Sequence, residues 1–124
     1  MAVDTRYDAE RKILHLTLKD APTAEQFLAA MQMITTSDQF PPDVDTLWDF
    51  RETDLKDLNR EIILRLIEIR KQHPKRAEAR VAFVGTDDFK FGMLRMFELS
   101  AVALPNRMMV FRTCAEAEQW LLDR

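Results

Sequence analysis

At 124 residues, with 47% hydrophobic and 31% charged side chains, the chain is expected to form one domain, 1–124, with a core of its own rather than a disordered segment. Its 18 basic and 21 acidic residues are interspersed and sum to −3, which argues against nucleic acid as a partner, because phosphate binding needs clustered Lys and Arg. The lone Cys114 excludes an internal disulfide, no apolar run approaches the ~18 residues of a membrane span, and Asp4 and Asp8 interrupt any apolar leader, so a cytoplasmic location is expected.

Residues 6–8 and 13–18 read as the strands of a hairpin joined by Ala9, Glu10 and Arg11. In the second strand Leu14, Leu16 and Leu18 alternate with Ile13, His15 and Thr17, the period of two that buries one face. Thr23 and Gln26 form a capping box that opens a helix with Phe27, Leu28, Met31 and Ile34 on one side, and Pro41-Pro42 closes that segment. Residues 46–50 make a short strand. Ile62, Ile63, Leu66, Ile67 and Ile69 then recur at helical spacing up to His73-Pro74. The β-branched and aromatic run Val81-Ala82-Phe83-Val84 predicts a central buried strand over 80–85, followed by a helix over 89–104 capped by Thr86 or Asp87. Residues 108–111 are a last strand, and Thr113-Cys114-Ala115-Glu116 opens a terminal helix. The order β-β-α-β-α-β-α-β-α implies an α/β fold with a mixed, mostly parallel five-stranded sheet, an N-terminal hairpin and four helices. Its core should contain Leu16, Trp48, Phe83, Val84 and Phe111, with Trp120 closing the last helix onto the sheet.

Three stretches carry a resemblance: Leu47-Trp48-Asp49-Phe50, then Phe91-Gly92-Met93-Leu94-Arg95-Met96-Phe97, and Val110-Phe111-Arg112 with Glu116-Ala117 and Trp120-Leu121. Together they resemble the SpoIIAA-like family of small bacterial proteins. The resemblance implies the STAS-like fold of anti-sigma-factor antagonists, related in topology to Sec14-type domains. A phospho-acceptor serine would follow the strand at Asp49, where this chain has Arg51-Glu52-Thr53-Asp54 and no serine before Ser100. Acidic neighbours would repel a phosphate on Thr53.

Ligands of open α/β sheets bind beyond the carboxyl ends of the strands, which here carry Asp49, Arg51 and Thr53, then Thr86, Asp87 and Asp88, then Arg112 and Thr113. Thr86, Asp87 and Thr113 have a simpler use as helix caps. Asp49, Asp54, Asp87 and Asp88 could only form a Mg²⁺ site if they converged, and Gly85 and Gly92 fit no phosphate-binding loop, so no metal and no cofactor is expected. Cys114 in the first turn of a helix should have a depressed pKa, but neither His15 nor His73 is evidently placed as its base, so no catalytic pair is expected. The basic group Arg70, Lys71, Lys75, Arg76 and Arg80, flanked by Glu68 and Glu78, reads as a solvated helix end.

The helix over 89–104 carries two apolar stripes, Met93/Leu94/Phe97/Ala101 and Phe89/Met96/Leu99/Ala103, where one suffices to cover a sheet. With Leu64 and Ile69 of the preceding helix, the second stripe suggests self-association as a dimer, Arg65, Glu68, Arg95 and Glu98 setting the register across the contact. The leading expectation is therefore a non-enzymatic regulatory or protein-interaction module without the phospho-acceptor serine. The alternative is a binder of a small apolar or amphipathic ligand, using Met93, Met96, Phe97 and the helix Ile62–Ile69.

Overall fold

The computed structural model describes residues 3–41, 43–55, 58–73, 79–101 and 107–123. Nine elements follow the expected order: β1 (Val3–Asp8), β2 (Ile13–Asp20), α1 (Ala24–Thr36), β3 (Asp45–Thr53), α2 (Arg60–Lys71), β4 (Arg80–Val84), α3 (Asp88–Ser100), β5 (Arg107–Phe111) and α4 (Cys114–Leu122). The strands lie side by side in chain order, β1 antiparallel to β2 and all later neighbours parallel. Each crossover therefore steps the same way along the sheet, and a single handedness puts α1, α2 and α3 on one face. α4 returns to the other.

Strand alternation then decides which side chains each layer meets. Leu14, Leu16, Leu18, Trp48, Phe50, Val81, Phe83 and Val110 face the three helices and join Phe27, Met31, Ile63, Leu66, Leu94 and Phe97 in the main core. Ile13, Leu47, Ala82 and Val84 take the opposite side and pack with Ala117 and Leu121 of α4. Phe83 sits between the rings of Phe50 and Phe97, with centroids 6.3 and 5.2 Å away. Phe111 is only half-buried, because α4 covers its edge strand from one flank, and its ring leans on the half-buried Trp120.

The caps follow the local sequence. Thr23 and Gln26 complete the capping box of α1, Asn59 caps α2, Asp87 rather than Thr86 caps α3, and Thr113 caps α4. α1 stops at Thr36, five residues short of the prolines. The hydroxyls of Thr35 and Thr36 bond back to the Met31 and Gln32 carbonyls, and Ser37 leaves the helix in extended backbone.

Of the basic group Lys71 is exposed at the end of α2 as expected, but Arg70 and Arg80 are not solvated. Arg70 is buried against the core with Nη1 3.8 Å from Met31 Sδ. Arg80 donates to the Trp120 and Asp123 carbonyls at 2.8 and 3.1 Å and stacks on the Trp120 ring, so it ties α4 to β4. The expectations for Pro42, Pro74, Lys75, Arg76, Glu78, Ala103 and Leu104 fall outside the described residues.

Candidate functional site

α4 packs chiefly across β3, β4 and β5, and of the N-terminal hairpin it meets only the near end, Ile13 at the start of β2 and Arg11 in the turn, leaving the rest of that face uncovered. The uncovered strip of that face becomes a groove of about 400 Å³, with Leu47 in its floor and α4 as one wall. Register sets its polar lining. Arg6 lies opposite His15, Asp4 opposite Thr17, and Thr17 opposite Asp49, while Cys114 and Glu118 descend from α4.

At the deep end Asp49 is nearly buried and accepts three bonds from Arg51: from the backbone amide at 3.0 Å, from Nε at 3.0 Å and from Nη2 at 2.9 Å. The Cys114 thiol donates to the second carboxylate oxygen at 3.7 Å. Burial works to raise the Asp49 pKa, but the bonds and charge of Arg51, with the thiol's help, outweigh it and hold the carboxyl below its usual value. Asp49 in turn holds the Arg51 guanidinium protonated.

Two further groove groups, Cys114 and His15, are pushed toward their neutral forms. Burial, then the negative charge of Asp49, raises the Cys114 pKa. The dipole-depressed thiol expected from its position is thus corrected, because the thiol is partly buried and the anion beside it at the start of α4 is already Asp49. Burial and the neighbouring Arg6 lower the His15 pKa, against smaller opposing pulls from Glu118 and Asp8. His15 and Cys114 do share this groove, although 99 residues separate them in sequence. At the rim, Asp4 pairs with Lys19 at 3.5 Å and Glu118 with Arg11 at 3.7 Å. Charges of both signs are thereby matched inside the chain.

Of the residues singled out from sequence, Asp49, Arg51 and Cys114 meet here, together with His15, and the other candidate site residues lie elsewhere. Thr53 is buried, its hydroxyl donating to the Asp20 carbonyl at 2.7 Å, where Asp20 leaves β2 with a φ of 59°. Asp87 accepts from the Lys90 amide at 2.8 Å as the cap of α3, and Lys90 Nζ reaches the Arg51 carbonyl at 2.9 Å. Asp88 pairs with Arg112 at 3.0 Å. Arg112 also donates to the Thr86 carbonyl and lies over the Phe91 ring, 4.4 Å from its centroid. Thr113 caps α4 and donates to Glu116 Oε1. Arg95 and Glu98, expected to pair across a contact between molecules, pair with each other along α3. Phe97 is core, Met93 half-buried and Met96 exposed. The four aspartates weighed as a Mg²⁺ site do not converge. Among the described residues no three His, Cys, Asp or Glu side chains are grouped to hold a metal.

Thr17, Arg6 and Glu118 were missed, and His15 was weighed as a base for Cys114 and set aside. The alternation of β2 does place His15 and Thr17 opposite its leucines, but only the position of α4 leaves that strip open.

The chain superposes on the crystal structure of an uncharacterized protein from the DUF3478 family of Shewanella loihica PV-4, with a TM-score of 0.61 over 97% of this chain and 92% of that one. That protein is described as having a SpoIIAA-like fold, and the two sequences are 20% identical. The fold here is SpoIIAA-like. No protein-family model and no curated protein matches the chain. On this SpoIIAA-like frame, β3 ends on a hydroxyl residue, Thr53, which is turned inward and bonded. No described helix is long and apolar enough to cross a membrane.

Proposed function

We propose that the chain is a non-enzymatic protein-interaction module with the STAS-like architecture, which offers the outer surface of α2 and α3 to a protein partner and also self-associates. The observation that carries the reading is an exposed apolar stripe on α3. Phe89, Met96 and Leu99 are 64%, 39% and 65% exposed. With Gly92 they fall within about an 80° arc at 100° per residue. On the neighbouring α2, Leu64 is 49% exposed. Ile69 is half-buried and packs against the core instead. Stripes of this kind on a soluble domain mark contact surfaces rather than chance exposure. Methionine adapts to irregular partners.

The alternative of an apolar ligand between the helices has less support. The space enclosed by Phe27, Trp48, Leu66, Phe83, Leu94 and Phe97 is about 20 Å³, room for one water and not for an acyl chain. Recognition would also proceed without a phosphate switch at Thr53, the last residue of β3, since its hydroxyl is bonded inside.

The test is affinity capture with wild-type protein and with Leu99→Glu, both shown to be folded by circular dichroism. A protein held by wild type and lost with Leu99→Glu is the expected result. Identical bound sets for the two would remove α3 from the function.

A further inference from the structure

The two edges of the sheet are built differently. β1 carries Asp4, Arg6 and Asp8 among six residues, the charged character that keeps an edge strand from pairing with another chain. β5 reads Arg107-Met108-Met109-Val110-Phe111 and ends the sheet, pairing only with β4 among the described residues. Met109, in the middle of this edge, is 43% exposed.

We infer that β5 is the self-association edge and that it takes β5 of a second copy, antiparallel about a two-fold axis through Met109, to give a continuous ten-stranded sheet. This rests on the reading that the chain self-associates, and it names the surface.

The backbone fixes the register. Phe111 receives the Gly85 amide on its carbonyl, so Phe111, Met109 and Arg107 direct their peptide groups inward to β4. Met108 and Val110, between them, direct theirs outward. A two-fold at Met109 sets Met108 opposite Val110 of the second copy and Val110 opposite its Met108. Each such pair exchanges two N–H···O bonds, and all four outward donors are used. One-residue slips would leave donors facing no acceptor.

The side chains agree with that register. Met109 meets its own copy at the axis, on the α4 face, in the closely spaced type of antiparallel pair. Arg107 comes opposite Phe111 of the second copy. Phe111 shares a shallow depression with Ala115, Glu116, Gln119 and Trp120, so the guanidinium arrives beside an aromatic ring and the Glu116 carboxylate. The symmetry makes this charge match twice, and it is isologous, as closed dimers require. Centred on Arg6, the same operation at β1 would instead oppose Asp4 to Asp8, two like charges. α3 offers no comparable pairing across a two-fold, since Arg95 and Glu98 are already joined to each other.

Analytical ultracentrifugation of the full chain tests the proposal. The wild type should sediment as a dimer, and Met109→Glu should weaken association on the order of 100-fold by placing two carboxylates at the axis. Arg107→Glu and Glu116→Arg should each weaken it about tenfold, and the double charge swap should restore most of the loss, which a merely structural role for either residue would not do. Amide exchange on wild type gives an answer even if Met109→Glu fails to fold: protection at Met108 and Val110 should rise with protein concentration. Flat protection there, or a wild type that is monomeric at high micromolar concentration, would overturn the proposal. So would a dimer that Leu99→Glu dissociates and Met109→Glu leaves intact, which would move self-association to α3; loss of a captured partner with Leu99→Glu alone would leave both readings standing.

Discussion

The two faces of the sheet are made from alternate residues of the same strands, yet one is sealed and the other half open. Three helices cover the first, and the aromatic series Phe27, Phe50, Trp48, Phe83 and Phe97 runs through it in ring-to-ring contact. One nine-residue helix lies over the second, packing chiefly on β3, β4 and β5, and the strip it leaves open is lined mostly by polar side chains. The difference teaches that strand alternation assigns residues to faces, while the number of helices returning to a face decides whether it becomes core or groove.

The largest expected contrast is in packing. Phe83→Ala should cost about 3–5 kcal/mol, because its neighbours on the sealed face cannot close over the cavity. Trp120→Ala, on the other face, should cost about 1–2 kcal/mol, the loss of its Phe111 and Arg80 contacts at a half-exposed position. Urea unfolding of the two variants measures both, and equal losses would mean that the faces are equally sealed.

A smaller effect concerns the groove's buried carboxylate. Asp49→Asn should cost about 1–2 kcal/mol at neutral pH through the charged hydrogen bonds to Arg51, one end of which is exposed to water. The folded pKa of Asp49 lies below the unfolded one, so its contribution is complete above about pH 4 and is lost as pH falls through the folded value. Stability curves of wild type and Asp49→Asn should therefore converge in acid. His15 behaves with the same sign at higher pH. Its folded pKa is lowered, so stability should begin to fall below about pH 6.5, and His15→Gln should remove that part of the slope. Parallel curves across both windows would show that neither group is held as described.

The smallest signal is kinetic. Cys114 should react slowly with thiol reagents at neutral pH, since burial and Asp49 keep it protonated. Asp49→Asn removes the adjacent charge and should speed labelling several-fold, with the rate profile moving to lower pH. An unchanged profile would place the cause in burial alone.

By itself, the sequence determined the nine elements and their order, because hydrophobic period, capping boxes and β-branched runs act over a few residues. Thr23 with Gln26, the leucines of β2 and Val81–Val84 each announce an element through such local chemistry, and the helix over 89–104 announced its surplus apolar stripe in the same way. The end of α1 was misplaced because a pair of threonines bonding back to their own helix is a weaker mark than Pro41-Pro42. What only the tertiary structure decided is where the long-range partners fall. Arg70 and Arg80 leave solvent because α1 and α4 come to rest against them. Thr53 turns inward because the end of β2 presents a carbonyl to it. Asp49 meets Cys114 across 65 residues, and burial together with that carboxylate reverses the pKa shift which the helix position alone implied. Local propensity is written in neighbouring side chains, whereas charge, burial and groove shape depend on which strand and helix lie alongside, and those neighbours exist only once the crossovers have closed.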